Sequence, residues 1–352
     1  MAYALEDISR LSDDYAALRA EQPKQRIRDA AHTLGVTEAE LLQTGILTGK
    51  VRRLRRTETG FAKLLEALVG IGEVMCLTRN ASAVHERYGE FDNCHLTKTM
   101  GLVLNRTIDL RVFMHKWAFG FVETQDIPDG TRLSLQFFNK HGEAVHKIYS
   151  TPGTDSAKLE ALLNKWVTVD LPPIAVEPAS ALPPDAPDAD IDAEAFRTAW
   201  GEMTDTHQFI VLLKKHGCGR MQALRLAGPG WARPAAQDSV TRALNIASET
   251  SVSVMIFIAS DGCIQIHTDP VENIKPMGPW INVLDPKFHM HLRTDHIAHV
   301  WVVKKPVDTG FVHSLEAYDA ENQLIFQMFG ERNEGKDELP EWRALLDQLA
   351  RG

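Results

Sequence analysis

The stretch "VHSLEAYDAENQLIFQMFG" (Val312–Gly330) and the stretch "RLSLQFFNKHGEAVHKIYS" (Arg132–Ser150), 180 residues earlier, read as one structure written twice. Each alternates apolar and polar residues, breaks at a polar tetrapeptide, and alternates again. The breaks are Asp319–Asn322 and Asn139–Gly142. A period of two interrupted by turn residues is the signature of an antiparallel hairpin.

The correspondence extends outward at the same spacing. "IDLRVFMHKWAFGFV" (Ile108–Val122) lies over "FHMHLRTDHIAHVWVV" (Phe288–Val303), which sets Arg111 on His291. "GEVM", ending at Met75, lies over "SVSVM", ending at Met255. Further upstream, "LGVTEAELLQTG" (Leu34–Gly45) and "HGCGRMQALRLAG" (His216–Gly228) both place a glycine at one helix end and a short turn before the next. Each half therefore reads as helices first and antiparallel strands after, an α+β pattern. A repeat of this length is too long for a solenoid unit. Two duplicated domains fit it, each a large antiparallel β-sheet flanked by α-helices; a single continuous large sheet fits the same pattern. Between the halves, "VTVDLPPIAVEPASALPPDAPDADID" (Val167–Asp192) is rich in Pro, Ala and Asp and has no apolar period. The expected division is an N-terminal repeat over 1–170, a linker over 171–192 and a C-terminal repeat over 193–352.

Bulk properties exclude some classes of function. The 352 residues are 44% hydrophobic and 24% charged, with a net charge of −9 and a pI of about 5.9. That is the composition of a globular protein with an ordinary core. Its acidity argues against a nucleic-acid binder, which needs a basic face. The acidic, amphipathic N-terminus has no apolar segment of a secretory signal, and no stretch of about 18 apolar residues predicts a membrane span. Cys76, Cys94, Cys218 and Cys263 are too scattered for a disulfide framework, which points to the cytoplasm.

The candidate chemistry is sparse. "MTDTHQFIVLLKKHGCGR" (Met203–Arg220) predicts a helix capped by Thr204, Asp205 or Thr206 and stopped at Gly217. His207 falls in its first turn, where packing gains little and the helix dipole favours the neutral imidazole that a metal requires. His216, the rival, sits at the helix end, where a cation is ordinary. "HMHLRTDHIAH" holds His289, His291, His296 and His299, but without the spacing of a known zinc motif. Arg111 sits in mid-strand between Leu110 and Val112, so it needs a partner such as Asp109 or faces a cleft. Arg220, Lys305 and Arg332 lie near element ends and together suit an anionic ligand. "GPGWARP" (Gly228–Pro234) lacks the features of a phosphate loop.

At these residues the chain resembles the cytoplasmic haem-trafficking proteins of the HemS/ChuS/PhuS/HmuS type, also called hemin-degrading factors. The resemblance is carried by "LTRNASAVHERYGEF" (Leu77–Phe91), "IDLRVFMHKW", "DTHQF", "GRMQALRL", "HLRTDHIAHVWVVKKP" and "SLEAYDAENQLIFQMFGER", in that order along nearly the whole chain. It implies two structural repeats and a haem cleft in the C-terminal one. It implies haem b (iron protoporphyrin IX) as the cofactor, with His207 as the axial iron ligand and Arg111 on the distal side. Arg220, Lys305 and Arg332 are then the propionate partners, and Phe113 and Phe326 the apolar lining. Some members carry Tyr in the last strand ahead of "GER", at the place where this chain has Phe326. The implied function is that of a haem carrier in bacterial iron acquisition, accepting haem and passing it on for iron release. The partners would be a haem oxygenase or an inner-membrane haem importer. The alternative is a haem-degrading enzyme that opens the porphyrin ring with an external electron donor, since no flavin or nicotinamide motif is present.

Overall fold

The computed structural model describes residues 5–180, 184–332 and 337–349. The fold is α+β, and its strands form two large antiparallel sheets rather than one. The chain divides into two compact units, one of residues 1–79, 85–180 and 259–265, the other of residues 80–84, 181–258 and 266–352. The units are thus not consecutive in the chain: two short segments, 80–84 and 259–265, count with the opposite half. Linker residues 181–183 lie outside the described residues. The rest of the linker has partners: Ile174 donates its N–H to Gln43 in the first unit, and Ala186 accepts from Gln222 in the second.

In the first unit the antiparallel order is Val167–Thr168, Val51–Leu54, Phe119–Ile127, Gly130–Phe138, Ala144–Thr154, Gly72–Arg79. A second run pairs Cys94–Leu96, Gly101–Leu104 and Asp109–Val112. In the second unit the corresponding order is Ala232–Ala235, His299–Val307, Gly310–Tyr318, Leu324–Gly330, Val254–Ala259. Its second run pairs Ile274–Met277, Trp280–Asp285 and Phe288–Arg293. The two quoted hairpins take identical form, with strands ending at Phe138 and Tyr318 and resuming at Ala144 and Leu324. The short 3₁₀ turns Met114–Lys116 and Thr294–His296 obey the same spacing.

Apolar positions explain the packing. In the first unit Phe61, Leu64, Leu65, Val112, Trp117 and Phe137 are fully buried in one cluster. In the second, the strands' inner faces pack with Val240, Leu244 and Trp342, while Phe196, Trp200, Phe209 and Leu224 build a separate helical core against Val303 and Tyr318.

Each unit also ties one helix start to its hairpin by a buried ionic knot, and the two knots have opposite polarity. In the first unit the helix Glu38–Gln43 begins with Glu38, which accepts hydrogen bonds from Lys147 and Arg79. Lys147 stands across the hairpin from Gln136. In the second unit the helix Arg220–Ala227 begins with Arg220, which binds Glu316, and Glu316 stands across from Gln327. Acid and base have exchanged places between helix and hairpin.

Candidate functional site

The second unit assembles the candidate residues on two consecutive helices and the strands beneath them. The helix Gln208–His216 buries Phe209, Leu212 and Leu213 and stops at Gly217, whose φ of 63° is the left-handed conformation that glycine adopts without penalty. It begins one to three residues later than the caps offered by the sequence imply, so His207 is its N-cap residue and does not lie in its first turn. The loop before it is braced. Thr204 donates its N–H to the Gln208 side chain at 2.9 Å, Gln208 donates back to the Thr204 hydroxyl at 3.1 Å, and Asp308 donates its N–H to the Thr204 carbonyl at 2.9 Å.

His207 projects from this brace with 90% of its side chain exposed. One oxygen of Asp205 accepts both its backbone N–H, at 2.8 Å, and its ring Nδ1, at 2.7 Å. A carboxylate only accepts, so Nδ1 carries a proton, and in the neutral ring Nε2 keeps a lone pair. The His207 backbone N–H, seconded by its ring, holds the Asp205 carboxyl below the usual carboxylate range, and Arg332 adds to this. Arg332 therefore lies in the electrostatic neighbourhood of His207. His216 has a different character: its ring packs edge-on to Phe196 at 5.5 Å, and its Nε2 is buried with no hydrogen-bond partner among the described residues.

Two residues beyond His207, the Phe209 ring lies under two cations, Arg220 at 5.1 Å and Lys305 at 4.6 Å. Both bind Glu316, which is 0% exposed. Arg220 donates Nη2 at 2.9 Å and Nε at 3.2 Å to one oxygen, which also accepts from the Tyr318 hydroxyl. Lys305 at 3.0 Å, Ser314 at 2.9 Å and Gln327 at 2.9 Å donate to the other. Burial alone would raise the Glu316 carboxyl, but Arg220 and Lys305 outweigh it and hold it well below the usual range. Burial lowers the Lys305 ammonium, opposed by Glu316. Two cations share one carboxylate, and the phenol is neutral, so the cluster carries one positive charge in excess. The Nη1 of Arg220 makes no hydrogen bond among the described residues.

Lys305, expected from the sequence to face an anionic ligand, is instead turned inward: only 5% of its side chain is exposed, and its ammonium is committed to Glu316. Phe326 is a core residue, 1% exposed among Ile325, Met328 and Val254, and presents no accessible face for a ligand. Arg111 and Phe113 belong to the first unit. Arg111 is half-buried and paired with Asp109, the partner expected from the sequence, and Phe113 donates its N–H to Gly262 at 2.9 Å. His289 and His291 share a strand face with rings 6.5 Å apart, and His291 bonds Asn282. Among the described residues, no three or more His, Cys, Asp or Glu side chains are disposed to hold a metal ion. Glu316 and Tyr318 were not singled out from the sequence, although Ser314, Glu316 and Tyr318 at alternate positions of "SLEAY" form a polar face inside an otherwise apolar hairpin.

The description "Haemin-degrading HemS.ChuX domain" fits this chain twice, over residues 35–166 and 217–349. The chain belongs to that family. The two matches fall on the two halves, as a duplication requires. Its relatives include the hemin transport protein HemS of Yersinia enterocolitica, 40% identical over 344 residues and 96% of each chain. Among solved structures, holo-PhuS, a heme-binding protein from Pseudomonas aeruginosa, is similar at 39% identity and a TM-score of 0.94, over 97% of this chain and 99% of that one. The Escherichia coli O157:H7 heme degrading enzyme ChuS is similar at 34% identity and 0.89, over 96% and 99%. No helix among the described residues is long and apolar enough to cross a membrane.

Proposed function

We propose that this haemin-degrading HemS/ChuX-family protein binds haem b as cargo in the cytoplasm and passes it to a haem oxygenase. The observation that carries the reading is the presence of two chemically distinct groups in one unit. These are an exposed imidazole with a free Nε2 and, over the buried Phe209 ring two residues on, an excess positive charge. They match two parts of haem: an iron that takes an axial imidazole and a carboxylate. His207 is the axial ligand. Arg220, through its uncommitted Nη1, takes one propionate, and Lys305 supplies charge from below through Glu316. Arg332, whose charge acts on Asp205, is the remaining candidate for the other propionate. The bound iron supplies redox chemistry that the carrier must hold in check. The names of the relatives, hemin transport and heme-binding proteins, support the reading.

The test is a titration of the purified protein with ferric haem, read in the visible spectrum. One haem per chain with a sharp Soret band is expected, and His207→Ala should weaken binding or shift the band. An unchanged spectrum in that variant removes His207 from the role. Ascorbate in air with catalase present then separates carrier from enzyme. A stable band supports transfer, whereas its loss with appearance of a linear tetrapyrrole supports ring opening.

A further inference from the structure

We infer that Asp205 is a positioning residue for the axial ligand: its carboxylate fixes the His207 tautomer and makes the imidazole a stronger donor to ferric than to ferrous iron. The inference rests on His207 being that ligand. Four observations carry it beyond a turn before the helix. First, such a turn needs only the backbone N–H, whereas the same Asp205 oxygen also takes Nδ1 at 2.7 Å. Second, the acceptor is charged, so the tautomer is determined and Nε2 is the nitrogen left for metal. Third, Asp205 is held in place. Its carbonyl accepts from Gln208 at 3.1 Å, and the Thr204–Gln208–Asp308 hydrogen bonds fix the residue before it. Fourth, at 90% exposure, His207 has no wall to orient it, so the carboxylate is what sets the ring's direction.

The chemical consequence follows from charge. A ligating imidazole whose other N–H is bonded to a carboxylate shares that proton, gains electron density, and binds the more positive metal better. A neutral acceptor leaves the imidazole a weaker donor. Removing such an outer partner costs 10- to 100-fold in metal affinity in general. Here the loss should fall mainly on the ferric form.

The test uses the full chain and Asp205→Asn, which keeps an acceptor for the His207 N–H but loses the charge. In the haem-free protein above pH 8, ¹⁵N spectra of His207 should show the Nδ1–H tautomer in the wild type and a mixture in the variant. With haem, stoichiometry should stay at one per chain. The ferric-to-ferrous affinity ratio should fall about ten-fold, a rise of about 59 mV in midpoint potential for one electron. The iron–histidine stretch of the ferrous form should move to lower frequency. Asp205→Glu, which restores the charge, should recover part of each shift, and it replaces the first variant if that one fails to fold. Unchanged tautomer, midpoint and stretch in Asp205→Asn would overturn the inference and leave Asp205 an acceptor for the backbone turn alone. If instead His207→Ala keeps the wild-type spectrum, the axial role itself fails, a separate outcome from the first.

Discussion

Replacing Glu316 by Gln removes one charge and almost no volume, and the structure fixes what that costs. Glu316 accepts hydrogen bonds from Arg220, Lys305, Ser314, Gln327 and Tyr318, and it is fully buried. The amide of Gln would turn an NH₂ group toward donors on one side and leave two cations without a counter-charge. Breaking a buried pair in this way costs ~3–5 kcal/mol. Urea unfolding at pH 7, followed by tryptophan fluorescence, should show a loss of that size. The pH dependence has a definite sign. The folded carboxyl lies below its unfolded value of about 4.3, so its contribution is fully present above that value and lost as pH falls toward the folded one. The gap between wild type and Glu316→Gln should therefore close in acid. Adding Lys305→Met should recover part of the loss, because one stranded cation disappears. A loss under about 1 kcal/mol at pH 7, the range of a solvated surface pair, would refute the claim that this cluster is desolvated.

Two further predictions concern the scaffold. His146 is buried in the first unit, with Nδ1 at 2.9 Å from Thr78 and its pKa pushed down to about 3 by desolvation. The unfolded chain therefore binds the extra proton between about pH 6.5 and 3, and stability should fall by up to ~1.4 kcal/mol per unit of acidification there. His146→Phe, which copies Phe326 of the other repeat, should flatten that dependence in unfolding measured across pH. At Gly217 a Cβ meets nothing within 4 Å, but φ is 63°, so Gly217→Ala should cost about 1 kcal/mol by backbone strain alone. An unchanged urea midpoint would contradict that.

What the sequence disclosed depended on how local the signal was. The hairpins at 132–150 and 312–330 were readable because strand period and turn chemistry lie within a few residues. The duplication was readable because the spacing of 180 holds across several elements. His207 stood out as a polar residue where a helix start offers it little to pack against. The partners were not readable. Glu316 reaches Arg220 across 96 residues of chain, and nothing local distinguishes a carboxylate that will be buried from one that will be solvated. Lys305 in "VVKKP" looks like its neighbour Lys304, yet strand alternation sends one inward and the other over Phe311 at 3.8 Å. The same alternation put Phe326 in the core. The exchanged segments 80–84 and 259–265 are too short to carry any pattern of their own.

The reversed polarity of the two ionic knots bears on how a duplicated chain avoids folding onto itself wrongly. Two halves with the same strand order and spacing invite each half's helices to dock on the other's hairpin, a known hazard of repeated architectures. Here such a trade is electrostatically marked. Arg220 placed on the first hairpin would face Lys147 and Arg79, and Glu38 placed on the second would face Glu316. Like charges would meet out of water in both cases, and only the correct partnership sets the helix residue against a charge of opposite sign. The inversion acts as a label of origin, telling each pair of helices which sheet it was made with.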